Sequence, residues 1–342
     1  MPAAVRIGYA APLSGPQAIV GVPMGEVVRL AVSELAPPRL DLELVACDDR
    51  ADDASAVLAA KTLVADSGVV AVVGHKNSGA CAAAGPLYHR AGLTQLTQSA
   101  TDSSLSRRGW PTFFRLCADN ERQAAVAAEF AVGELGSFRP AVVHDGTAYG
   151  KPLGAAFADR ARELDVEPVA HLAVRVGQED FAGVVELLRN AGADLVYVGA
   201  TEVEGSKLTV ALRRAGHLAR VMTAEGGPAN PFPHLAGAAA EGSVHTYAGF
   251  DAASSGEGRS LAGRCAAFGG LPSYGVECHD AVRVIAAALE SGARTRDEVR
   301  SAVVGIDVVG VSGRIRFLPG GEREGAPVSL WRVESGRMVR LS

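Results

Sequence analysis

The sequence lacks the features that would place the chain in a membrane or on a nucleic acid. None of the apolar runs in its 342 residues approaches the roughly 20 residues that a helix needs to span a bilayer. Lysine occurs only four times and the formal net charge is −5, so no basic stripe is available for a nucleic acid. We therefore expect neither direct membrane insertion nor nucleic-acid binding.

Cysteines with metal-binding spacing are also missing. The five cysteines are scattered and form no C-x-x-C pair, which argues against a zinc site. Cys265 and Cys278 lie on consecutive segments and could pair, with buried free thiols as the alternative. We expect no metal and no cofactor.

The usual motifs of catalysis are absent too. No G-x-G-x-x-G follows the first strand, and no G-x-S-x-G or H-E-x-x-H occurs. The segment GTAYGKP at 146–152 is one residue short of a phosphate loop, and Pro152 replaces the hydroxyl that would bind magnesium. Together these absences favour binding over catalysis.

No export signal opens the chain. MPAAVRIGYA leads directly into a strand, without a charged segment, an apolar core or a cleavage site. The chain is therefore either cytoplasmic or a mature form whose signal has been removed.

What the sequence does contain is a regular alternation of strands and helices. With 48% hydrophobic residues it can bury a large core, and its length suggests about two domains. The alternation predicts an α/β fold with parallel sheets and right-handed crossovers, and it restarts near residue 120 as a second unit. Residues 328–341 read as a terminal β-hairpin, and a helix is predicted from Met24 to Leu35.

The most informative stretch is VAVVGHKNSGACAAAGPLYHRAGLTQLTQSAT at 70–101. A buried strand ends at Gly74, a polar loop leads into a helix near Ser78, and a second short strand ends before Ser99 and Thr101. Ligands of open α/β sheets bind at the carboxyl ends of strands, and a helix N-terminus attracts anions. Ser78 and Thr101 could equally be ordinary helix caps.

Other polar residues follow strands in the same way. Asp48, Asp49 and Asp145 are expected to cap the turns that follow their strands. His75 and His144 have no nucleophile at a recognisable spacing and are interpreted as polar strand-end residues.

The order of several short motifs resembles the leucine/isoleucine/valine-binding protein family, type I periplasmic substrate-binding proteins of branched-chain amino-acid transporters. The motifs are LSGP (13–16), DD (48–49), VVGHKNS (72–78), SAT (99–101), HDGTAYG (144–150), EDF (179–181), AEG (224–226), GRIRF (313–317) and WRVESGRMV (331–339). The resemblance covers essentially the whole chain. It implies two Rossmann-like lobes with parallel sheets, joined by three crossovers, with the ligand in the cleft between them. Lobe 1 would comprise residues 1–118 and 250–326, and lobe 2 residues 119–249 and 327–342.

The resemblance also implies a set of ligand-binding residues. The α-carboxylate of an amino acid would be held on the first lobe by the hydroxyl of Ser78 and by backbone and hydroxyl groups of Ser99, Ala100 and Thr101. The α-ammonium would be held on the second lobe by the carboxylate of Glu225. Without the resemblance, Glu225 could be a solvated loop acid.

Further positions would surround the ligand. Tyr149 matches a family residue that closes over it, and Tyr274 matches an aromatic position. Val20 and Thr201 stand at positions where aromatic residues are frequent in the family. Their smaller side chains would enlarge the pocket. Asn77, beside Ser78, is a further candidate. Asn77 and Ala51 occupy the two positions at which some family members have the cysteines of a small disulfide loop, so that loop is absent here.

The resemblance implies a periplasmic or other extracytoplasmic protein that captures a small, branched or aliphatic amino acid for the permease of an ABC transporter. It would not be an enzyme. Two alternatives are a cytoplasmic sensor of the same fold that binds an amide or another small molecule, and a binding protein for aromatic acids.

Overall fold

The structure is a computed structural model that describes residues 5–38, 40–224 and 226–341. The chain divides into two compact units, each built from two separate stretches. Unit 1 comprises Met1–Ala118 and Gly249–Pro327, and unit 2 comprises Asp119–Ala248 and Val328–Ser342.

Strands and helices alternate along most of the chain. The first stretch contains β1 (Val5–Ala11), α1 (Ala18–Leu35), β2 (Leu42–Asp48), α2 (Asp53–Ala65), β3 (Val69–Gly74), α3 (Ser78–Arg90), β4 (Thr94–Thr97) and β5 (Phe113–Arg115). The second contains α4 (Asn120–Glu129), β6 (Pro140–His144), α5 (Gly150–Glu163), β7 (Ala170–Ala173), α6 (Ala182–Asn190), β8 (Leu195–Gly199), α7 (Glu202–Arg214), β9 (Arg220–Thr223), α8 (Phe232–Ala236) and β10 (Val244–Tyr247). The third contains α9 (Gly256–Cys265), α10 (Gly275–Glu290), α11 (Arg296–Val304), β11 (Val308–Gly310) and β12 (Gly313–Ile315), and the last contains β13 (Ser329–Glu334) and β14 (Arg337–Arg340).

Unit 1 is organised around a five-stranded sheet in the order β2-β1-β3-β4-β5. All neighbouring strands are parallel. Its central strand β3 is buried along its whole length, as its run of valines predicts. Because the strands are parallel, β1, β3 and β4 deliver the loops that follow them to one edge of the sheet.

Unit 2 contains a seven-stranded sheet in the order β14-β13-β10-β9-β8-β6-β7. The strands from β10 to β7 are parallel neighbours, whereas β13 and β14 are antiparallel additions at one edge. In its core the ring of Phe157 on α5 stacks on that of Tyr197 on β8, with centroids 4.0 Å apart. Burying an aromatic side chain of this size stabilises the unit by roughly 1.5–3 kcal/mol.

These observations confirm the predicted α/β fold class and the terminal hairpin, which β13 and β14 form. The predicted start of the first long helix at Met24 is wrong, because α1 begins at Ala18 and includes Pro23. Its first turn is retained because it packs closely. A Cβ on Gly21 would lie 2.0 Å from the carbonyl oxygen of Pro12, and the Gly21 carbonyl accepts a hydrogen bond from the buried Tyr9 hydroxyl at 2.7 Å.

Candidate functional site

The edge where β3 and β4 end gathers the residues of unit 1 that the sequence singles out. β3 stops at Gly74, where φ is +128° and a Cβ would lie 2.1 Å from the Ala10 carbonyl oxygen. Only glycine is accommodated there, so the chain can leave β3 against β1 and turn into α3. The loop after β4 is fastened to this turn, because the Thr97 hydroxyl donates to the His75 carbonyl at 2.8 Å and accepts from the Ala100 N–H at 3.0 Å.

Ser78 and Thr101 carry the hydroxyls at this edge. Ser78 is the first residue of α3, and its Oγ accepts a hydrogen bond from the Asp102 N–H at 3.2 Å, which leaves its proton to be donated. Thr101 is only 1% exposed, and its hydroxyl has no hydrogen-bond partner within the described part of the chain. Ser99 donates to the Lys76 carbonyl at 3.2 Å. The structure therefore brings Ser78, Ser99, Ala100 and Thr101 together around the start of α3.

The residue at the N-cap position of α3 does not cap the helix with its side chain. Asn77 occupies the N-cap position but makes no side-chain hydrogen bond to the helix. Its Nδ2 instead donates to the amide oxygen of Gln17 at 2.9 Å. The first N–H groups of a helix lack intrahelical partners and attract negative charge, so this end of α3 can receive an anion. This geometry therefore does not favour the alternative that Ser78 and Thr101 are ordinary helix caps.

A buried arginine, which the sequence analysis did not single out, holds the loop after β4 in place. Nη1 of Arg115 donates to the carbonyls of Ala100 and Asp102, at 3.0 and 2.8 Å, and the side chain is fully buried. Its other nitrogens bind both carboxylate oxygens of Glu322. The sequence gives little indication of this ion pair, because Glu322 lies 207 positions from Arg115.

His75 is a structural residue of unit 1. Its two ring nitrogens contact Asp49 Oδ2 at 2.7 Å and the Tyr88 hydroxyl at 3.0 Å, and its side chain is fully buried. Burial raises the pKa of Tyr88 well above its ordinary value. The three side chains tie the loops after β2 and β3 to α3, which agrees with the interpretation of His75 as a strand-end residue.

Val20 and Tyr274 are the remaining candidates in unit 1. Val20 is buried in the first turn of α1, and its N–H donates to the Gln17 carbonyl at 3.1 Å. Tyr274 is buried immediately before α10, in the left-handed conformation with φ +58°. Val20 is linked to Asn77 through Gln17, whereas Tyr274 belongs to a separate element.

In unit 2, Tyr149 and Thr201 lie at the carboxyl edge of the neighbouring strands β6 and β8. Tyr149 precedes α5, and its carbonyl accepts from Asn120 Nδ2 at 3.2 Å. Thr201 is the N-cap of α7, and its hydroxyl donates to Glu204 Oε2 at 2.5 Å. Glu225 lies outside the described residues. The preceding Ala224 carbonyl accepts from Nε2 of the buried Gln123 at 2.5 Å.

The same edge of unit 2 carries three buried acids: Asp145, Glu202 and Glu204. Asp145 caps its turn by accepting from the Thr147 N–H at 3.0 Å, as expected from its place after a strand. Burial raises the pKa of Asp145, and the charge of Glu204 raises it further. No motif in the sequence points to Glu202 or Glu204. They make this edge negative and therefore suited to a cationic group.

The described residues contain no helix that is long and apolar enough to cross a membrane. Over the same ranges, 5–38, 40–224 and 226–341, no group of three or more histidine, cysteine or acidic side chains could hold a metal ion.

Comparisons with known proteins agree with this architecture. A family model described as "Periplasmic binding protein" matches residues 4–337. The Leu/Ile/Val-binding protein BraC3 of Rhizobium johnstonii is 28% identical over 346 residues, which cover 98% of this chain and 93% of that protein. The Leu/Ile/Val-binding protein homolog 1 of Brucella melitensis is 28% identical over 247 residues, and that match spans 71% of this chain but 66% of the relative, just under two thirds of its length.

A solved structure shares the fold. The leucine-binding protein LivK of Thermotoga maritima superimposes with a TM-score of 0.92 at 22% identity, over 99% of this chain and 98% of that one. The family-model match extends over nearly the whole sequence and includes both units. The chain therefore belongs to the periplasmic binding protein family.

Proposed function

We propose that this protein is the substrate-binding component of an ABC transporter and captures a small amino acid. The ligand's α-carboxylate would bind to Ser78, Ser99, Ala100 and Thr101 at the start of α3. The observation that carries the proposal is the pair of hydroxyls beside an uncapped helix N-terminus, with Thr101 Oγ1 buried and without a partner among the described residues. A buried hydroxyl without a partner is costly, and a bound carboxylate would supply the missing acceptor.

The other end of the ligand would be held by unit 2. Glu225 is proposed to accept a hydrogen bond from the α-ammonium. Tyr149 and Thr201 are proposed to lie near the ligand in the same unit. The buried acids Asp145, Glu202 and Glu204 support this polarity, since they place negative charge at the carboxyl edge of that sheet. If the carboxylate and the ammonium of one amino acid bind to different units, the ligand binds more tightly when the units are closed around it. It would therefore stabilise the closed arrangement.

The relatives support the class of ligand and the partner. Two of the proteins named above are Leu/Ile/Val-binding proteins and one is a leucine-binding protein, so leucine, isoleucine and valine are the first ligands to test. Family membership supports an extracytoplasmic location and delivery of the ligand to a membrane permease. The division of the chain into two ligand-binding lobes, with Val20 and Tyr274 near the ligand's side chain, is part of the same proposal.

Isothermal calorimetry with the twenty common amino acids tests the proposal. At least one amino acid should bind, and Ser78→Ala should weaken its binding by about 2 kcal/mol, roughly thirtyfold, because a hydrogen bond to a charged group is lost. Glu225→Gln should weaken it by a similar amount. Ser33→Ala, at an exposed position on α1, and Glu257→Gln, at an exposed position on α9, serve as matched controls.

Two results would contradict the assignment. Unchanged affinity in both Ser78→Ala and Glu225→Gln would show that the amino acid binds elsewhere. Binding only of carboxylates or amides that lack an amine would remove Glu225 from its role and favour an aromatic-acid or amide ligand.

A further inference from the structure

Two buried amide side chains in the first turn of α4 hold the loops of unit 2 that carry proposed ligand-binding residues. Asn120 is 1% exposed and Gln123 is fully buried. Nδ2 of Asn120 donates to the Tyr149 carbonyl at 3.2 Å, and Nε2 of Gln123 donates to the Ala224 carbonyl at 2.5 Å. Residues three positions apart share one face of a helix. A single turn of α4 therefore fastens both the turn before α5 and the loop that carries Glu225.

Gln123 also reaches strand β10. Its Nε2 lies 3.4 Å from the Thr246 carbonyl oxygen, and a group that contacts two carbonyl oxygens must be the NH₂ end of the amide. A Cβ on Gly226 would lie 2.8 Å from the same Thr246 oxygen, so the loop packs directly against β10. The residues on either side of position 225 are thus both fixed, Ala224 by its hydrogen bond to Gln123 and Gly226 by close packing.

The same turn of α4 lies at a point where the chain passes between the units. The chain enters unit 2 at Asp119 and leaves it after Ala248. Asp119 is the N-cap of α4, and its carboxylate accepts from the Arg122 N–H at 3.0 Å. Thr246 lies just before the second crossover. Gln123 therefore connects the loop at position 225 to chain segments that adjoin both crossovers.

The amide oxygens of the two side chains show what each side chain contributes. Asn120 Oδ1 and Gln123 Oε1 are buried and have no hydrogen-bond partner among the residues that the structure describes. A buried acceptor without a partner is costly, and a methionine of similar shape would fill the place of Gln123 without that cost. The contribution of Gln123 therefore lies in the hydrogen bonds that it donates.

We propose that Gln123, assisted by Asn120, is a positioning residue that holds the proposed ammonium-binding loop and links it to the segments where the chain passes between the units. The inference rests on the proposed function and concerns the same site. Gln123 acts on the ligand only through Glu225. Its loss should therefore matter as long as Glu225 binds the ammonium, and should matter little once Glu225 has been replaced.

A set of double-mutant cycles measured by calorimetry tests the positioning role, with the tightest-binding of the twenty common amino acids as the probe. Gln123→Met should weaken binding about tenfold in the wild-type protein and in Ser78→Ala, but at most about twofold in Glu225→Gln, because only coupled residues are non-additive. A purely structural role would give the same loss in all three backgrounds. Arg122→Met, at the neighbouring exposed position of α4, is the control and should leave affinity unchanged.

The outcomes separate this inference from the proposed function. Equal losses in all three backgrounds, or no loss in any, would overturn the positioning role and leave the proposed function standing. If no amino acid binds, or if Glu225→Gln leaves affinity unchanged, the proposed ammonium site fails and the inference fails with it.

Circular dichroism shows whether each variant folds. If Gln123→Met does not fold, a second cycle decides the question. Asn120→Ala should weaken binding about tenfold in the wild-type protein and at most about twofold in Tyr149→Ala, since it acts through the Tyr149 turn. Equal losses in those two backgrounds would overturn the inference.

Discussion

The buried Arg115 and the partly exposed Glu322 form an ion pair between residues 207 positions apart in the sequence, and this pair fastens the proposed carboxylate site to the C-terminal part of unit 1. Because Arg115 also binds the carbonyls of Ala100 and Asp102, the loop that carries Thr101 depends on one guanidinium. A planar group with five donors can serve all of these acceptors, which an ammonium cannot.

Replacing Arg115 with lysine should therefore weaken both the fold and ligand binding. We expect Arg115→Lys to lower the free energy of unfolding by about 2 kcal/mol, as charge-assisted hydrogen bonds are lost. Urea denaturation measures the change in the free energy of unfolding, and calorimetry measures the change in ligand affinity. Arg6→Lys, in a partly exposed ion pair with Glu43, is the control and should change stability much less. Equal losses in the two variants would contradict the role of Arg115.

Glu277 should make the stability of the protein depend on pH. Burial raises the pKa of Glu277 to about 8, against an ordinary value of 4.5, although the Phe250 N–H donates to its carboxyl at 2.6 Å. The positive charge of Arg323 lowers the pKa and the negative charge of Asp280 raises it, both less than burial does. Because the folded state holds this proton more tightly than the unfolded chain, its contribution to stability is complete below pH 4.5 and is lost as the pH rises to about 8.

Glu277→Gln isolates this effect, since glutamine stays neutral and keeps an oxygen for the Phe250 N–H. Between pH 4.5 and about 8 the wild-type melting temperature should fall relative to that of the variant. Scanning calorimetry at several pH values, in buffers of equal ionic strength, provides the comparison. Parallel curves for the two proteins would show that Glu277 does not titrate in this range.

The five thiols should differ sharply in reactivity. All five are free in the structure, but only Cys47 is partly exposed. Burial raises the pKa of Cys81 to about 12, and that of Cys265 to about 11, so little thiolate forms at neutral pH. We expect a thiol reagent to label the folded protein at Cys47 alone and all five positions in urea, as read by mass spectrometry. Cys47→Ser should abolish labelling of the folded protein. Labelling of Cys265 in the folded protein would contradict the burial of that thiol.

The sequence predicted those parts of the fold that depend on local pattern. β3 was recognisable because a short run of β-branched residues that ends at a glycine is typical of a strand buried on both faces, and Gly74 ended it as expected. The start of α1 was missed because it depends on packing: the helix begins at Ala18, before Pro23, and its first turn packs closely through Gly21 against Pro12.

The sequence could not predict contacts between distant residues. The resemblance pointed to Ser78 and Thr101, and the structure places them at one edge. Nothing in the local pattern around Arg115 indicated Glu322 or the two carbonyls that it binds. Likewise, Gln17 lies 59 positions from Lys76, so the hydrogen bonds that Gln17 Oε1 accepts from Lys76 and Asn77 form only when the start of α1 meets the loop after β3.

The position of β13 constrains the order in which the protein can fold during synthesis. β10 ends at Tyr247, yet its antiparallel neighbour begins at Ser329, after the whole second stretch of unit 1. While the ribosome makes the intervening residues, β10 remains an unprotected sheet edge with unpaired N–H and C=O groups. Unit 2 therefore completes its sheet only when nearly all of the chain has emerged, and a nascent chain stalled before residue 328 exposes a strand edge open to aggregation.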